Sequence, residues 1–101
     1  MFYIYILFSE SSNLYYVGYS SDVKRRLIEH NTSERNTFSS KHRPWRLAAV
    51  FSCGFIEADA IRLERYIKKQ KSRKLIEQLV NPDFILCDSL AQLVRVPDVR
   101  D

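Results

Sequence analysis

Five side chains of this sequence have the chemical types needed to cut a phosphodiester bond. Tyr5 and Tyr16 lie in two apolar segments joined by a short polar stretch, and Arg26 and His30 follow four residues apart. Glu64 stands further along the chain. A lone carboxylate can hold a hard divalent cation, a guanidinium can stabilise phosphate charge, and a phenol or an imidazole can move a proton. A nuclease is therefore the leading hypothesis.

The motifs around these residues resemble those of the GIY-YIG nuclease family. Tyr3-Ile4-Tyr5 stands where the family has Gly-Ile-Tyr, and Tyr16-Val17-Gly18 stands where it has Tyr-Ile-Gly. Tyr3 thus replaces a glycine whose role in the family is structural. Further blocks follow in the family's order, at 16–31, 43–47 and 60–68. The resemblance covers about residues 2–79 and is strongest to the family's small stand-alone bacterial branch.

This resemblance implies an endonuclease that hydrolyses DNA, in repair or recombination, with one Mg²⁺ or Mn²⁺ ion held by Glu64. It places the catalytic groups at Tyr5, Tyr16, Arg26, His30 and Glu64. Gly18 would be a structural position that leaves room for backbone or substrate to approach closely.

Each of these polar side chains also has an ordinary structural interpretation. Glu64 and Lys68 have the i,i+4 spacing of a helix-surface ion pair, and Arg26 could simply pair with Asp22. His30 could complement the dipole at the end of its helix. The resemblance favours the catalytic interpretation for all three.

The motif leaves open which tyrosine takes the proton from water. A phenol with a pKa of about 10 is a poor base unless a nearby cation lowers that value. If Phe8 pairs with Tyr15, Tyr5 lies opposite Gly18. We favour Tyr5 as the base because the glycine would leave space for a water and a phosphate beside its hydroxyl. Tyr16, lying diagonally behind, would orient that hydroxyl.

A modest excess of positive charge suits a DNA partner. The net charge is +4 and the isoelectric point is about 9.2, values that are common among small proteins and weak on their own. The basic stretch 68–74 could release counterions from DNA phosphates, although it could also be a soluble connector between helices. The candidate DNA contacts are Lys41, Lys68, Lys71 and Arg73.

The sequence predicts that these residues are positioned by an α+β fold with a small three-stranded, mainly antiparallel sheet flanked by helices. Apolar and β-branched runs predict a hairpin and a third strand, and apolar residues at helical spacing predict three helices. Ser20 or Ser21 would cap the first helix and Ser72 the third. The predicted strands are 2–8, 15–19 and 45–53, the first helix is 22–30, a long, mobile loop spans 31–44, and 84–96 could add an edge strand.

The length of 101 residues predicts one domain, 1–101, with no room for a separate DNA-reading domain. Cleavage specificity would then come from DNA shape or a protein partner. Cys53 and Cys87 are too few for a disulfide framework or a zinc site, and no segment has transmembrane length, so we expect a cytoplasmic protein. Two alternatives stay open: a non-catalytic DNA-binding module of the same fold, or a nuclease domain active only with a partner.

Overall fold

Strands and helices form most of the chain that the computed structural model describes, residues 1–34 and 38–97. The strands are β1 Tyr3–Ser9, β2 Leu14–Ser20, β3 Trp45–Ser52 and β4 Val94–Arg95. The helices are α1 Val23–Thr32, α2 Glu57–Lys69 and α3 Arg73–Val80, with short 3₁₀ helices at Ser39–His42 and Asp88–Leu90.

The strands form one antiparallel sheet in the order β2-β1-β3-β4. The α+β class is confirmed, but the sheet has four strands instead of three. The additional strand comes from the 84–96 segment, where Val94 and Arg95 pair with the end of β3. The Val96 N–H still donates to the Val50 carbonyl oxygen, and the next residue, Pro97, has no backbone N–H to continue the pairing.

The register of the hairpin is the one that the sequence predicts. Phe8 pairs with Tyr15 and Tyr5 with Gly18, so alternate residues separate cleanly onto two faces of the sheet. One face, which includes Ile4 and Ile6, packs with α2 and α3 side chains. The opposite face packs with α1 side chains and carries both motif tyrosines. A slip of one residue would place the two tyrosines on different faces.

The first helix differs from the prediction at both ends. Asp22 is its cap, because the Asp22 carboxylate accepts a hydrogen bond from the backbone N–H of Arg25 at 3.1 Å. Ser20 acts one step earlier, since its Oγ accepts from the Asp22 N–H at 2.9 Å. The helix also continues two residues past His30, to Thr32. Ser72 caps α3 as predicted.

The segment predicted as a mobile loop is hydrogen-bonded to the rest of the domain at both of its ends; residues 35–37 lie outside the described part. Asn31 and Trp45 exchange two hydrogen bonds, from side chain to backbone in each direction. The Arg43 guanidinium donates to the carbonyl oxygens of His30, at 2.7 Å, and of Ser33. These bonds satisfy carbonyls at the end of α1 and fix the following chain beside it.

Both cysteines are free, Cys53 buried and Cys87 exposed. Within 1–34 and 38–97, no helix combines the length and apolar character that crossing a membrane requires.

Candidate active site

A buried tyrosine–histidine pair lies where α1 crosses the sheet. Tyr5 is 1% exposed and His30 is 6% exposed, and their Oη and Nε2 atoms are 3.0 Å apart. Burial raises the pKa of Tyr5 to about 12, although the nearby Arg26 guanidinium opposes this rise. Burial, with the positive charge of Arg26, lowers the pKa of His30. Both groups are therefore neutral near pH 7, and they share one proton along their hydrogen bond.

Gly18 leaves room for Tyr5 itself. A Cβ atom at Gly18 would lie 2.4 Å from the Tyr5 Oη and 2.5 Å from its Cζ. The expectation that the glycine opens space for water and phosphate beside the Tyr5 hydroxyl is therefore wrong. The ring crosses the glycine, and the hydroxyl beyond it meets His30 instead of solvent.

Tyr16 is the motif tyrosine that faces open space. It is half-buried and borders a cavity of about 410 Å³ that Arg26, Glu29, His30 and Phe38 also line. Its ring centroid lies 4.7 Å from that of His30. A ligand in this cavity could touch the Tyr16 side chain directly, whereas the Tyr5 hydroxyl lies buried behind it.

Arg26 lines the same cavity and already has a carboxylate partner. Its guanidinium donates to Glu29 at 3.0 Å, whereas Asp22, the partner considered from the sequence, pairs with Arg25 at 3.9 Å. Glu29 also accepts from Arg25 at 3.3 Å. Sequence reasoning missed Glu29, although its i+3 and i+4 spacing from the two arginines was a usable signal.

Glu64 approaches the site from α2, at the β2 side of the sheet. Its side chain is 18% exposed and pairs with the Lys68 ammonium at 3.1 Å. That ammonium lies 5.2 Å from the centre of the Tyr16 ring, and the Glu64 charge contributes to the raised pKa of Tyr5. Glu64 thus lies beside the tyrosines, and the i,i+4 pair that the sequence suggests does form.

A metal ion at this site would have few protein ligands. Within the described part of the chain, no three histidine, cysteine or acidic side chains come together in a group that could hold an ion. Of the residues predicted to act in catalysis, Glu64 alone is a carboxylate. It could supply one or two oxygens to a cation whose other ligands are waters and substrate oxygens.

The basic residues predicted to contact DNA have different surroundings. Lys41 and Lys71 are exposed, and Lys68 lies between Glu64 and Tyr16. Arg73 instead braces the β1–β2 turn, because its guanidinium donates to the Asn13 carbonyl and side-chain oxygens at 2.7 and 2.8 Å. No local sequence pattern indicates this structural interaction, which joins residues 60 positions apart.

Phe38 is a second residue of the site that the sequence did not indicate. Its ring is 51% exposed and lies 4.7 Å from the His42 ring and 6.4 Å from the Tyr16 ring, measured between centroids. The only available signal was an aromatic residue within an otherwise polar stretch, 31–44.

Comparison with known proteins identifies the family of this chain. The family model described as the GIY-YIG catalytic domain matches residues 1–77. The UPF0213 protein SSP2268 of Staphylococcus saprophyticus is 34% identical over 80 residues, which cover 75% of this chain and 94% of that protein. The UPF0213 protein BH0048 of Halalkalibacterium halodurans is 35% identical over 79 residues, covering 78% and 81% respectively.

A solved structure is also similar. The solution NMR structure of the UPF0213 protein BH0048 from Bacillus halodurans covers 83% of this chain and 87% of its own, with 33% identity and a TM-score of 0.48. The match of the family model over most of the sequence, together with the identity to the two relatives, shows that this chain belongs to the GIY-YIG family of nuclease domains.

Proposed function

We propose that this chain is an endonuclease that hydrolyses DNA phosphodiester bonds with the help of one divalent cation. The observation that carries the proposal is the cavity of about 410 Å³ lined by Tyr16, Arg26 and His30. A cation, a phenol and an imidazole there face the same space, as a phosphate and an attacking water would require.

Arg26 is the group that would bind the phosphate. A guanidinium offers two parallel N–H donors to a phosphate, and its charge is retained at any physiological pH. In the absence of substrate, Glu29 accepts one of these donors at 3.0 Å. Phosphate oxygens would replace Glu29 as the acceptor, so Glu29 holds Arg26 in position until substrate arrives.

Tyr16 is the tyrosine that would meet the attacking water. It lines the open cavity, and the Lys68 ammonium lies 5.2 Å from its ring centre. Tyr5 is poorly suited to the same task, since its pKa of about 12 and its burial both oppose loss of its proton. Tyr5 instead holds the His30 imidazole at the cavity wall through the 3.0 Å hydrogen bond.

Glu64 would hold the cation. Hard oxygen donors suit Mg²⁺ or Mn²⁺, and a single carboxylate fits a cation that keeps most of its waters and takes the rest of its ligands from the substrate. When bound, such a cation polarises the phosphate and stabilises the leaving oxygen. A repair or recombination role, a specificity partner and a cytoplasmic location stay predictions.

The test compares Glu64→Gln with Glu57→Gln, which removes the same charge at the start of the same helix. Purified proteins are incubated with single-stranded, duplex, nicked and branched DNA in Mg²⁺, Mn²⁺ or EDTA. We expect Glu64→Gln and EDTA to abolish cleavage, with DNA binding retained because a negative charge near phosphate has gone. Glu57→Gln should cleave normally.

Undiminished cleavage by a folded Glu64→Gln variant would refute the metal role. Binding without cleavage by the wild-type protein under every condition would instead favour a DNA-binding module or a partner-dependent enzyme.

A further inference from the structure

A second cavity, of about 480 Å³, shares Tyr16 and Phe38 with the cavity of about 410 Å³ described above. It runs between strand β2 and the region where α2 gives way to α3; we call it the β2–α3 groove. Its apolar lining includes Leu14, Tyr15, Val17, Ile67 and Ile76. The two cavities adjoin at the aromatic pair that they share, so one ligand could occupy both.

The groove combines an apolar lining with positive charge at its border. Lys68, Lys71 and Arg73 all line it. Lys68 and Arg73 already have partners in Glu64 and Asn13. Lys71 is exposed, and no carboxylate of the described chain lies within ion-pair distance of its ammonium. A flat apolar group attached to an anionic backbone matches this combination, because stacking surfaces and cations are what proteins use to bind single-stranded nucleic acid.

Phe38 supplies an exposed stacking surface where the two cavities adjoin. Half of its surface faces solvent, and its ring plane lies within 25° of that of Tyr16. The half-buried Tyr16 ring already lies beside His30, Trp45 and the Lys68 ammonium, so Phe38 offers the more exposed ring. A volume of about 480 Å³ is also in the range of natural small-ligand pockets.

We infer that the β2–α3 groove binds an unpaired nucleotide of the DNA substrate, with its base against Phe38 and its phosphate near Lys71. A base within an intact duplex is covered by its neighbours and cannot enter such a groove without being extruded. The inference rests on the proposed function and specifies its substrate class: DNA with an unpaired stretch beside the bond to be cut.

The test uses DNA binding, so it does not depend on catalysis. A fluorescent adenine analogue, 2-aminopurine, is placed in a single-stranded gap and, separately, in a fully paired duplex of the same length, and binding is measured in EDTA. We compare the wild-type protein with Phe38→Ala, Phe38→Trp and Phe55→Ala. Phe55 is a matched control because its ring is 77% exposed and lines neither cavity.

We expect the wild-type protein to prefer the gapped DNA and to quench the analogue only there. Phe38→Ala should weaken binding of gapped DNA by about 5- to 150-fold, the range expected for loss of one base–aromatic stack. Phe38→Trp should restore both signals, and Phe55→Ala should match the wild type.

Equal affinity for gapped and paired DNA, or a folded Phe38→Ala variant that binds and quenches like Phe55→Ala, would overturn the inference. Because this test does not measure cleavage, its outcome can be interpreted even if the Glu64 test fails. The Glu64 test can likewise be interpreted if this one fails.

Discussion

The two motif tyrosines should respond in opposite ways when each is replaced by phenylalanine. Both substitutions keep the ring and delete only the hydroxyl. Tyr16→Phe should lower the single-turnover cleavage rate by about 10²–10⁴-fold, the typical contribution of a positioned general base. It should cost little stability, because the Tyr16 ring borders open space. Tyr5→Phe should lose less rate, since its buried hydroxyl acts on the reaction indirectly, through His30 and the neighbouring Arg26.

The stability cost should fall on Tyr5→Phe instead. Removal of the Tyr5 hydroxyl leaves the buried His30 Nε2 without its partner at 3.0 Å. An unsatisfied buried polar atom costs about 1–3 kcal/mol of stability. The pH dependence gives a second signature. The folded pKa of Tyr5 is about 12, above the unfolded value of 10.0, so the stability it contributes is present below pH 10 and is lost as the pH rises towards 12.

At pH 11 this loss amounts to about 1.4 kcal/mol in the wild-type protein, and it is absent from Tyr5→Phe. The destabilisation of Tyr5→Phe relative to the wild type should therefore shrink by that amount between pH 7 and pH 11. Urea unfolding at the two pH values measures this change, and labelled DNA under enzyme excess measures the rates. A larger rate loss for Tyr5→Phe than for Tyr16→Phe, with equal stabilities, would refute this division of roles.

Two further predictions test the packing and the charge of the site. Gly18→Ala would place a Cβ 2.4 Å from the Tyr5 hydroxyl, so urea unfolding should show a loss of about 1–3 kcal/mol, and an unchanged midpoint would contradict the overlap. The double variant Lys68→Gln/Lys71→Gln should lower the slope of log K against log salt by roughly 0.9 for each lysine that binds a phosphate of duplex DNA. The control variant Lys24→Gln, on the exposed side of α1, should leave the slope unchanged. Equal slopes for all proteins would show that the basic stretch does not contact DNA phosphates.

The hairpin and its register could be predicted because local sequence determines them. Alternation of apolar residues decides which face each strand buries, and the assumed pairing of Phe8 with Tyr15 is the one that the structure has. The same periodicity locates the three helices, and Ser72 caps α3 by a purely local hydrogen bond. These features depend on neighbours along the chain.

The sequence indicates less where an interaction between distant residues decides the structure. The prediction that both motif tyrosines share one face of the sheet was correct. The direction in which the Tyr5 ring extends, however, depends on His30, which lies 25 residues away in the sequence. The hydrogen bonds from Arg73 to Asn13 were not predicted because they join residues 60 positions apart. The short β4 strand forms only because the returning chain finds the exposed edge of β3, a pairing that its own composition barely indicates.

The two halves of the family motif form one packing unit in this chain. Tyr5, from the first half, can reach His30 only because the residue opposite it in the second half has no side chain. The buried hydrogen bond then fixes the imidazole against the cavity that Tyr16 and Arg26 share. Tyr3 lies partly buried at the margin of the same sheet face, where a large side chain is accommodated, and this agrees with its departure from glycine. In the proposed mechanism the motif therefore specifies a spatial relation between two tyrosines, a buried one that positions the imidazole and an accessible one that meets the substrate.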